Sequence, residues 1–360
     1  MVKRVFVKKS HRDSNMELLR IVAMVLIMVL HADFTSLSVP TAEQCYDSFF
    51  VSFLRFFIEG LTVVAVNAFV LLSGWYGIKP SFQKMSSFVF QTLFLIFIVY
   101  LCFLCVGIGE RHSVGEWLKI VFFNQYWFVQ SYIILYVFSP ILNSFVENGN
   151  KRTLEKVLVL LFIIQLLWGY FPYSSNYGWY NDGYSPLSFF FLYLLARYLR
   201  LYVKSVKQRS TKYYLLWWLF FALAVALLAY ISVCLGFGGY YMLYLFGYSS
   251  PLVIMGSLSL LLLFSRISFS NSLVNRIAVS AYAIYIIHCH ECIFLPIYVN
   301  HINYWFFNDV LGVFIVKTSI MIAFIFVVAI ILDNFRILIW MHFLKLINYS
   351  LYGNRENNPN

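Results

Sequence analysis

The sequence contains little charge, and this excludes a water-soluble protein. It has 26 basic and 15 acidic residues among 360, so 11% of the chain is charged, whereas a soluble protein carries roughly 25%. Hydrophobic residues make up 62% and aromatic residues 21%, which is more apolar surface than a soluble fold hides from water. The chain is therefore predicted to be all-α, a polytopic integral membrane helix bundle.

The sequence has only six cysteines, and they lie mostly inside apolar runs. The Cys102 and Cys105 pair lacks the polar flanks of a metal-binding turn. Burial is therefore the expected role of the cysteines, in preference to a disulfide or a zinc site, and no metal is predicted. The six residues are Cys45, Cys102, Cys105, Cys234, Cys289 and Cys292.

Several catalytic motifs are also missing. The chain has no serine-nucleophile elbow, Walker loop, paired metal carboxylates or Rossmann glycines. These absences exclude the corresponding hydrolase, nucleotide triphosphatase and dehydrogenase classes. No internal repeat is strong enough to indicate inverted-repeat transporter architecture, and no separate soluble domain is visible.

Long apolar runs dominate what is present. A helix of about 20 residues crosses roughly 30 Å of hydrocarbon, and runs of this length occur about ten times. The first run follows a basic segment, and no small-residue cleavage site comes after the run. It is therefore predicted to be an uncleaved span. The ten predicted spans are 17–38, 50–74, 84–107, 124–146, 153–171, 185–203, 213–236, 239–264, 277–299 and 309–333.

The distribution of lysine and arginine predicts the orientation of these spans. Of the 26 basic residues, 22 fall in the N-terminal segment, the C-terminal tail and the loops on the same side as both. The positive-inside rule therefore places both termini in the cytoplasm. The net charge of +11 is explained by topology, and no nucleic-acid partner is expected.

The last residues differ in pattern from the spans. The segment 335–352 alternates apolar residues with Arg336, His342 and Lys345, and we expect it to lie along the inner membrane surface as an amphipathic helix. The predicted organisation is a transmembrane domain at 1–334 followed by a cytoplasmic amphipathic tail at 335–360.

The first span carries Arg20 and His31, which are candidates for function because ionisable groups inside a membrane are costly. Their separation of eleven residues places both on one helix face, about 16 Å apart along the axis. An elongated ligand could bridge them. The competing interpretation is structural, with Arg20 as an inner anchor and His31 as an interfacial residue near the outer end.

Two further residues are predicted at a depth close to that of His31. His288 in the ninth span could bind a ligand, or belong to a polar cluster that holds helices together. Glu59 in the second span is a rare buried carboxylate that could orient an imidazole and raise its basicity. Pairing of Glu59 with Arg55, one turn earlier, is an equally weighted structural alternative.

The inner end of the second span carries small polar residues beside a basic loop. Ser73 precedes Gly74, whose missing side chain lets a backbone or ligand approach closely, and Lys79 and Lys84 follow. The fourth span presents Trp127, Tyr132 and Tyr136 in a row that could line a polar cavity, although interfacial aromatic belts explain single members of the row equally well.

Four segments resemble the membrane acyltransferase 3 family. The first is Asn15 to His31, with the arginine and histidine of the family's first helix. The second, Val66 to Tyr76, is similar to the family's N-x-F-x-x-x-S-G-Y pattern at the end of its second helix. The third is the fourth-span set beginning Tyr126-Trp127-Phe128, and the fourth is Ile284-Tyr285-Ile286-Ile287-His288, which is similar to IYLIH.

The resemblance implies an enzyme that moves an acyl group, usually acetyl, from acyl-CoA to a hydroxyl of a bacterial surface polysaccharide or lipid-linked sugar. It implies acetyl-CoA as co-substrate and a multi-pass protein of the bacterial cytoplasmic (inner) membrane. His31 would act as general base, with Glu59 as its partner. The CoA-binding residues would be Arg20, Ser73, Lys79 and Lys84, and the acceptor-binding residues Trp127, Tyr132, Tyr136 and His288.

Two departures from the family pattern and one competing function are noted. Ala196 stands where many relatives have glycine before the Arg197-Tyr198 pair, and the Arg-x-Arg pair of many polysaccharide-modifying relatives is missing near Lys84. The alternative function is a flippase for lipid-linked oligosaccharides or a polysaccharide polymerase, since such proteins are also basic, aromatic-rich and polytopic.

Overall fold

The chain folds as a bundle of helices. The computed structural model describes residues 13–107, 113, 116, 126–171, 181–237 and 244–356, and this part contains no β-strand. Its α-helices are α1 (Ser14–Leu30), α2 (Ala42–Asp47), α3 (Phe49–Thr62), α4 (Val64–Tyr76), α5 (Phe82–Cys105), α6 (Trp127–Asn148), α7 (Lys151–Gln165), α8 (Pro186–Tyr202), α9 (Thr211–Cys234), α10 (Pro251–Ser265), α11 (Ser272–Val279), α12 (Ala281–His288), α13 (Asn300–Asn308) and α14 (Leu311–Glu356).

Wider and tighter turns interrupt or extend these helices. π-Helical turns occupy His31–Thr35, Leu166–Tyr170 and Phe294–Val299, and short 3-10 turns occupy Asn181–Gly183 and Lys204–Lys207. Several helices begin where a polar side chain accepts a hydrogen bond from a free backbone N–H of the first turn, which is the role of an N-cap. These caps are Ser81, Asn150, Ser185, Ser210 and Asn271.

Seven helical segments of the described part are long and apolar enough to cross a membrane. They are Ser14–Thr35, Phe49–Tyr76, Phe82–Cys105, Trp127–Asn148, Lys151–Tyr170, Thr211–Cys234 and Leu311–Leu346. The multi-pass membrane character predicted from composition is therefore supported.

The other three predicted spans are shorter or broken. The run 185–203 forms α8, with 17 residues. The run 239–264 begins outside the described residues and contributes the 15-residue α10. The run 277–299 is not one helix: it is interrupted at Ser280 and again after His288, so the count of about ten stays a prediction.

The last helix does not end at the predicted domain boundary. α14 runs unbroken for 46 residues and includes both Asp333 and the tail residues that follow it. Residues 335–352 are therefore helical and continuous with the last predicted span, and their position along the inner membrane surface stays a prediction.

The centre of the bundle is the α3–α4 segment, which packs against α1, α8, α9 and α10. Small residues allow these close approaches. A Cβ on Gly60 would lie 2.7 Å from the Ala222 carbonyl oxygen of α9, and one on Gly74 would overlap the Tyr193 backbone of α8. The missing side chain of Gly74 therefore lets α4 pack directly against α8, next to Ser73.

Candidate functional site

A cavity of about 470 Å³ lies within the bundle. It is lined by residues of α1, α4, α5, α6, α11 and α12 and of the segments next to them, and most of these residues are apolar or aromatic. Its polar and ionisable lining residues are Arg20, His31, Ser73, Gln91, Trp127, Tyr132, Tyr248, Tyr282, Tyr285 and Cys289.

Arg20 and His31 both face this cavity, in agreement with their eleven-residue spacing on one helix face. Arg20 forms an ion pair of 2.6 Å with Glu17, one turn earlier, and a third of its side chain remains exposed. It is therefore a charge held at the cavity wall with guanidinium surface left over for a ligand.

His31 stands where the α-helical hydrogen-bonding pattern changes. The π-helical turn begins at His31. Two hydroxyl groups donate to backbone carbonyl groups around it, one from Ser36 in the same helical run and one from the distant Tyr298. The Ser36 hydroxyl donates to the His31 carbonyl oxygen at 2.6 Å, and the Tyr298 hydroxyl donates to the Met28 carbonyl oxygen at 2.6 Å. These bonds hold the backbone that carries the imidazole.

His31 and His288 form a direct pair. His31 Nδ1 lies 2.9 Å from His288 Nε2, and the two rings stack with centroids 5.1 Å apart. His288 is fully buried at the end of α12, with Tyr298 edge-to-face against it at 4.3 Å. Because His31 Nδ1 is engaged by His288, Nε2 is the ring nitrogen of His31 left for a ligand.

Cys289 lies beside this histidine pair. One ligand atom from each of His31, His288 and Cys289 falls within 4.8 Å of the others, so the three could hold a metal ion. A metal would have to replace the hydrogen bond between the two imidazoles. Zinc accepts such nitrogen and thiolate ligands. Cys289 stands between His288 and His290 in the sequence, although burial without a metal was the role expected for the cysteines.

Glu59 belongs to a different buried group. Its carboxylate faces the charges of Asp33 and Arg55, and no hydrogen bond joins it to His31 among the described residues. Arg55 does not pair with Glu59 as the structural alternative proposed. Arg55 Nε donates to Asp33 Oδ1 at 2.6 Å and its Nη2 donates to the Ser38 carbonyl oxygen. The group thereby fixes the segment that follows His31.

The predicted CoA-binding residues are divided between the cavity and the surface. Ser73 lines the cavity, where its hydroxyl lies 3.3 Å from that of Tyr132. Lys79, on the loop after α4, and Lys84, in the first turn of α5, are both exposed. They lie outside the cavity lining, and Lys84 Nζ donates to the Lys79 carbonyl oxygen at 2.9 Å.

The predicted acceptor-binding row is divided in the same way. Trp127 and Tyr132 line the cavity, and Trp127 stacks on Tyr248 at 5.8 Å. Tyr136 lies away from it, because its hydroxyl accepts from the Ser81 backbone N–H at 2.8 Å and so holds the basic loop.

Sequence reasoning missed several residues of this region. The residues that it did not select are Asp33, which pairs with Arg55, and Gln91, Tyr248 and Tyr282, which line the cavity. For Gln91 a signal was available, since an amide in the middle of an apolar run is costly unless it has a partner or faces a cavity.

The fold and the site together define a class: a polytopic membrane protein with a paired histidine at an internal cavity that also holds an arginine. The model of one protein family, described as an acyltransferase domain, matches residues 13–333. The chain belongs to this acyltransferase 3 family, which confirms the resemblance seen in the sequence. No curated protein and no solved structure matches the chain.

Proposed function

We propose that this acyltransferase moves an acyl group, acetyl in the simplest case, from cytoplasmic acyl-CoA to a hydroxyl of a bacterial surface polysaccharide or lipid-linked sugar. The observation that carries the proposal is the His31–His288 pair. It leaves one imidazole nitrogen of His31 for a substrate in a cavity that also contains Arg20.

The pair supports a general-base role for His31. With the proton on Nδ1, His31 donates to His288 Nε2 and keeps the lone pair of its own Nε2 for the acceptor hydroxyl. Removal of that hydroxyl proton during attack contributes about 10²–10⁴-fold to such reactions. The role of His288 in this proposal is to orient His31, in place of the acceptor contact predicted from the sequence.

In the proposed transfer, one proton passes from the acceptor hydroxyl to His31 and then to the CoA sulfur. His31 Nε2 takes the proton of the acceptor hydroxyl while its oxygen attacks the thioester carbonyl carbon, and a C–O bond forms. The C–S bond then breaks, and the departing CoA sulfur takes the proton from His31. The products are an ester and free CoA, and His31 returns to its neutral state.

The charges suggest where the donor lies. Arg20 would bind the phosphates of CoA through charge-assisted hydrogen bonds. Lys79 on the loop after α4 and Lys84 in the first turn of α5 supply further positive charge outside the cavity. Ser73 and Tyr132 line the cavity, with their hydroxyls 3.3 Å apart. At the other end, Trp127 and Tyr248 offer aromatic faces on which a sugar ring could stack.

The orientation and location follow from the same proposal. Both termini would face the cytoplasm, because 22 of the 26 basic residues lie on that side in the ten-span arrangement. The enzyme would be a multi-pass protein of the bacterial cytoplasmic membrane, with membrane lipids and a glycan as partners and no nucleic acid.

The test compares transfer by wild-type protein and His31→Ala. Detergent-purified proteins are incubated with radiolabelled acetyl-CoA and membranes of a glycan-producing host, and label is followed into glycolipid and polysaccharide. We expect at least a 100-fold loss in His31→Ala and no loss in His301→Ala, an exposed histidine on α13.

Three outcomes separate the interpretations. Equal labelling by His31→Ala would reject the base assignment and leave acyl transfer standing. Wild-type protein that neither binds nor consumes acetyl-CoA would reject the donor. Movement of lipid-linked sugar without consumption of acetyl-CoA would favour the flippase alternative.

A further inference from the structure

A buried ion pair on the last helix holds an amide that lines the cavity. Asp333 and Arg336 of α14 are both buried, and Arg336 donates to Asp333 Oδ1 through Nε at 2.9 Å and through Nη2 at 2.6 Å. Gln91 of α5 donates to the same oxygen through Nε2 at 2.8 Å. Gln91 therefore links the Asp333–Arg336 ion pair to the cavity that it lines.

The chemistry of the contact determines how the Gln91 amide is turned. An ionised carboxylate can only accept hydrogen bonds, so the amide nitrogen of Gln91 must face Asp333. Its carbonyl oxygen, Oε1, is then the remaining polar atom. No hydrogen bond to Oε1 is found among the described residues, and Gln91 is part of the cavity lining. Oε1 is therefore an acceptor offered to the cavity.

Gln91 lies between the two ends of the site. In the proposed topology α1 and α5 enter the membrane from the same side. Counted from the first residue of each helix at 1.5 Å per residue, Arg20 lies about 9 Å and His31 about 26 Å along the first span, and Gln91 lies about 14 Å along α5. A CoA molecule with phosphates near Arg20 and its thioester near His31 would bring its pantetheine arm, which contains two amide N–H groups, past Gln91.

We infer that Gln91 Oε1 accepts a hydrogen bond from a pantetheine amide N–H of the acyl donor, and that Asp333, held by Arg336, positions the Gln91 amide for this contact. The inference rests on the proposed function and names the part of the donor that the middle of the cavity recognises.

The test measures binding of CoA itself, which requires no acceptor. Purified wild-type protein and Gln91→Met are titrated with CoA and with two CoA analogues, each with one amide N–H replaced by CH₂. We expect Gln91→Met to weaken CoA binding about tenfold. For one analogue, wild type and Gln91→Met should bind equally, because the hydrogen bond is already missing.

Two variants serve as controls. Gln165→Met makes the same chemical change at a buried amide of α7 outside the cavity lining, and it should bind all three compounds as wild type does. Asp333→Asn lets the Gln91 amide turn over, so we expect it to lose the discrimination between CoA and the sensitive analogue. A merely structural role of Asp333 would weaken all three compounds alike.

The outcomes distinguish this inference from the proposed function. Wild type that binds CoA and transfers acetyl, with Gln91→Met affecting the three compounds equally or not at all, overturns the inference alone. Wild type that binds no CoA overturns the inference and the donor assignment together.

Discussion

The hydrogen bond between His31 and His288 determines what either imidazole can do. Each ring spends one nitrogen on the other at 2.9 Å. The lone pair available to a substrate therefore depends on which histidine carries the shared proton. A side chain at position 288 that can only accept a hydrogen bond from His31 would keep the proton on His31 Nδ1 and leave the lone pair on His31 Nε2.

This dependence predicts different results for two substitutions of His288. His288→Gln places an amide oxygen able to accept near the former Nε2 and should retain much of the transfer activity. His288→Leu removes the acceptor, and we expect kcat to fall about 10- to 100-fold with little change in donor KM. Steady-state kinetics on both variants check this. Equal activity of the two would contradict a positioning role.

The Asp33–Arg55 ion pair predicts a stability effect at the scale of single residues. Both side chains are buried, and the bond is 2.6 Å long. Asp33→Leu leaves the Arg55 charge without its partner, which we expect to destabilise the protein by about 3–5 kcal/mol. Thermal unfolding in detergent measures the change.

The exposed Lys151–Glu155 pair provides the contrast to this prediction. Its atoms are 3.6 Å apart and both side chains are about half exposed, so Lys151→Ala should shift the unfolding temperature little. Equal shifts for the two variants would show that Asp33 contributes no more than a surface charge.

At the scale of helices, glycine decides how closely α4 approaches α8. A Cβ at Gly74 would overlap the backbone of Tyr193, and Ser73 beside it lines the cavity. Any separation of these two helices would therefore displace the cavity wall as well as loosen the bundle.

We predict that Gly74→Ala destabilises the protein by about 1–3 kcal/mol through overpacking and lowers transfer activity as well. Gly312→Ala is the matched control, since a Cβ there meets nothing within 4 Å. Unfolding temperature and transfer rate are measured on both variants. A Gly74→Ala protein as stable as Gly312→Ala would contradict the close contact.

At the scale of the whole molecule, the orientation of the helices in the membrane determines which end of the cavity faces the cytoplasm. The proposed orientation puts the basic 3-10 turn after α8 inside and the segment carrying α2 outside. In the proposed function, this arrangement would bring CoA to Arg20 and the glycan to the far end of the cavity, so the orientation and the proposed reaction depend on each other.

Site-directed labelling tests the orientation. Gln208 and Glu43 are both exposed and lie on opposite sides in the proposed topology. In intact cells, a membrane-impermeant maleimide should label Glu43→Cys above the wild-type level. Gln208→Cys should be labelled only after the inner membrane is permeabilised. The reverse pattern would invert the topology and place Arg20 on the outer side.

Composition and periodicity alone predicted the helical membrane fold and one feature of the site. The scarcity of charge and the apolar runs predicted an all-helical membrane bundle, because backbone groups in hydrocarbon must be satisfied within helices. The spacing of Arg20 and His31 predicted a shared face from helix geometry alone. Both properties are local, since each depends on residues of one segment.

The remaining features depend on contacts between distant segments. Three contacts form only when the helices pack together. His31 meets His288, 257 residues away, and Arg55 pairs with Asp33 and not with Glu59. Asp333 accepts a hydrogen bond from Gln91 of another helix. Hydropathy places each of these residues in depth but carries no information on which helices become neighbours. The pairing of buried polar groups follows from that packing, since each must find its partner among the side chains that packing brings within reach.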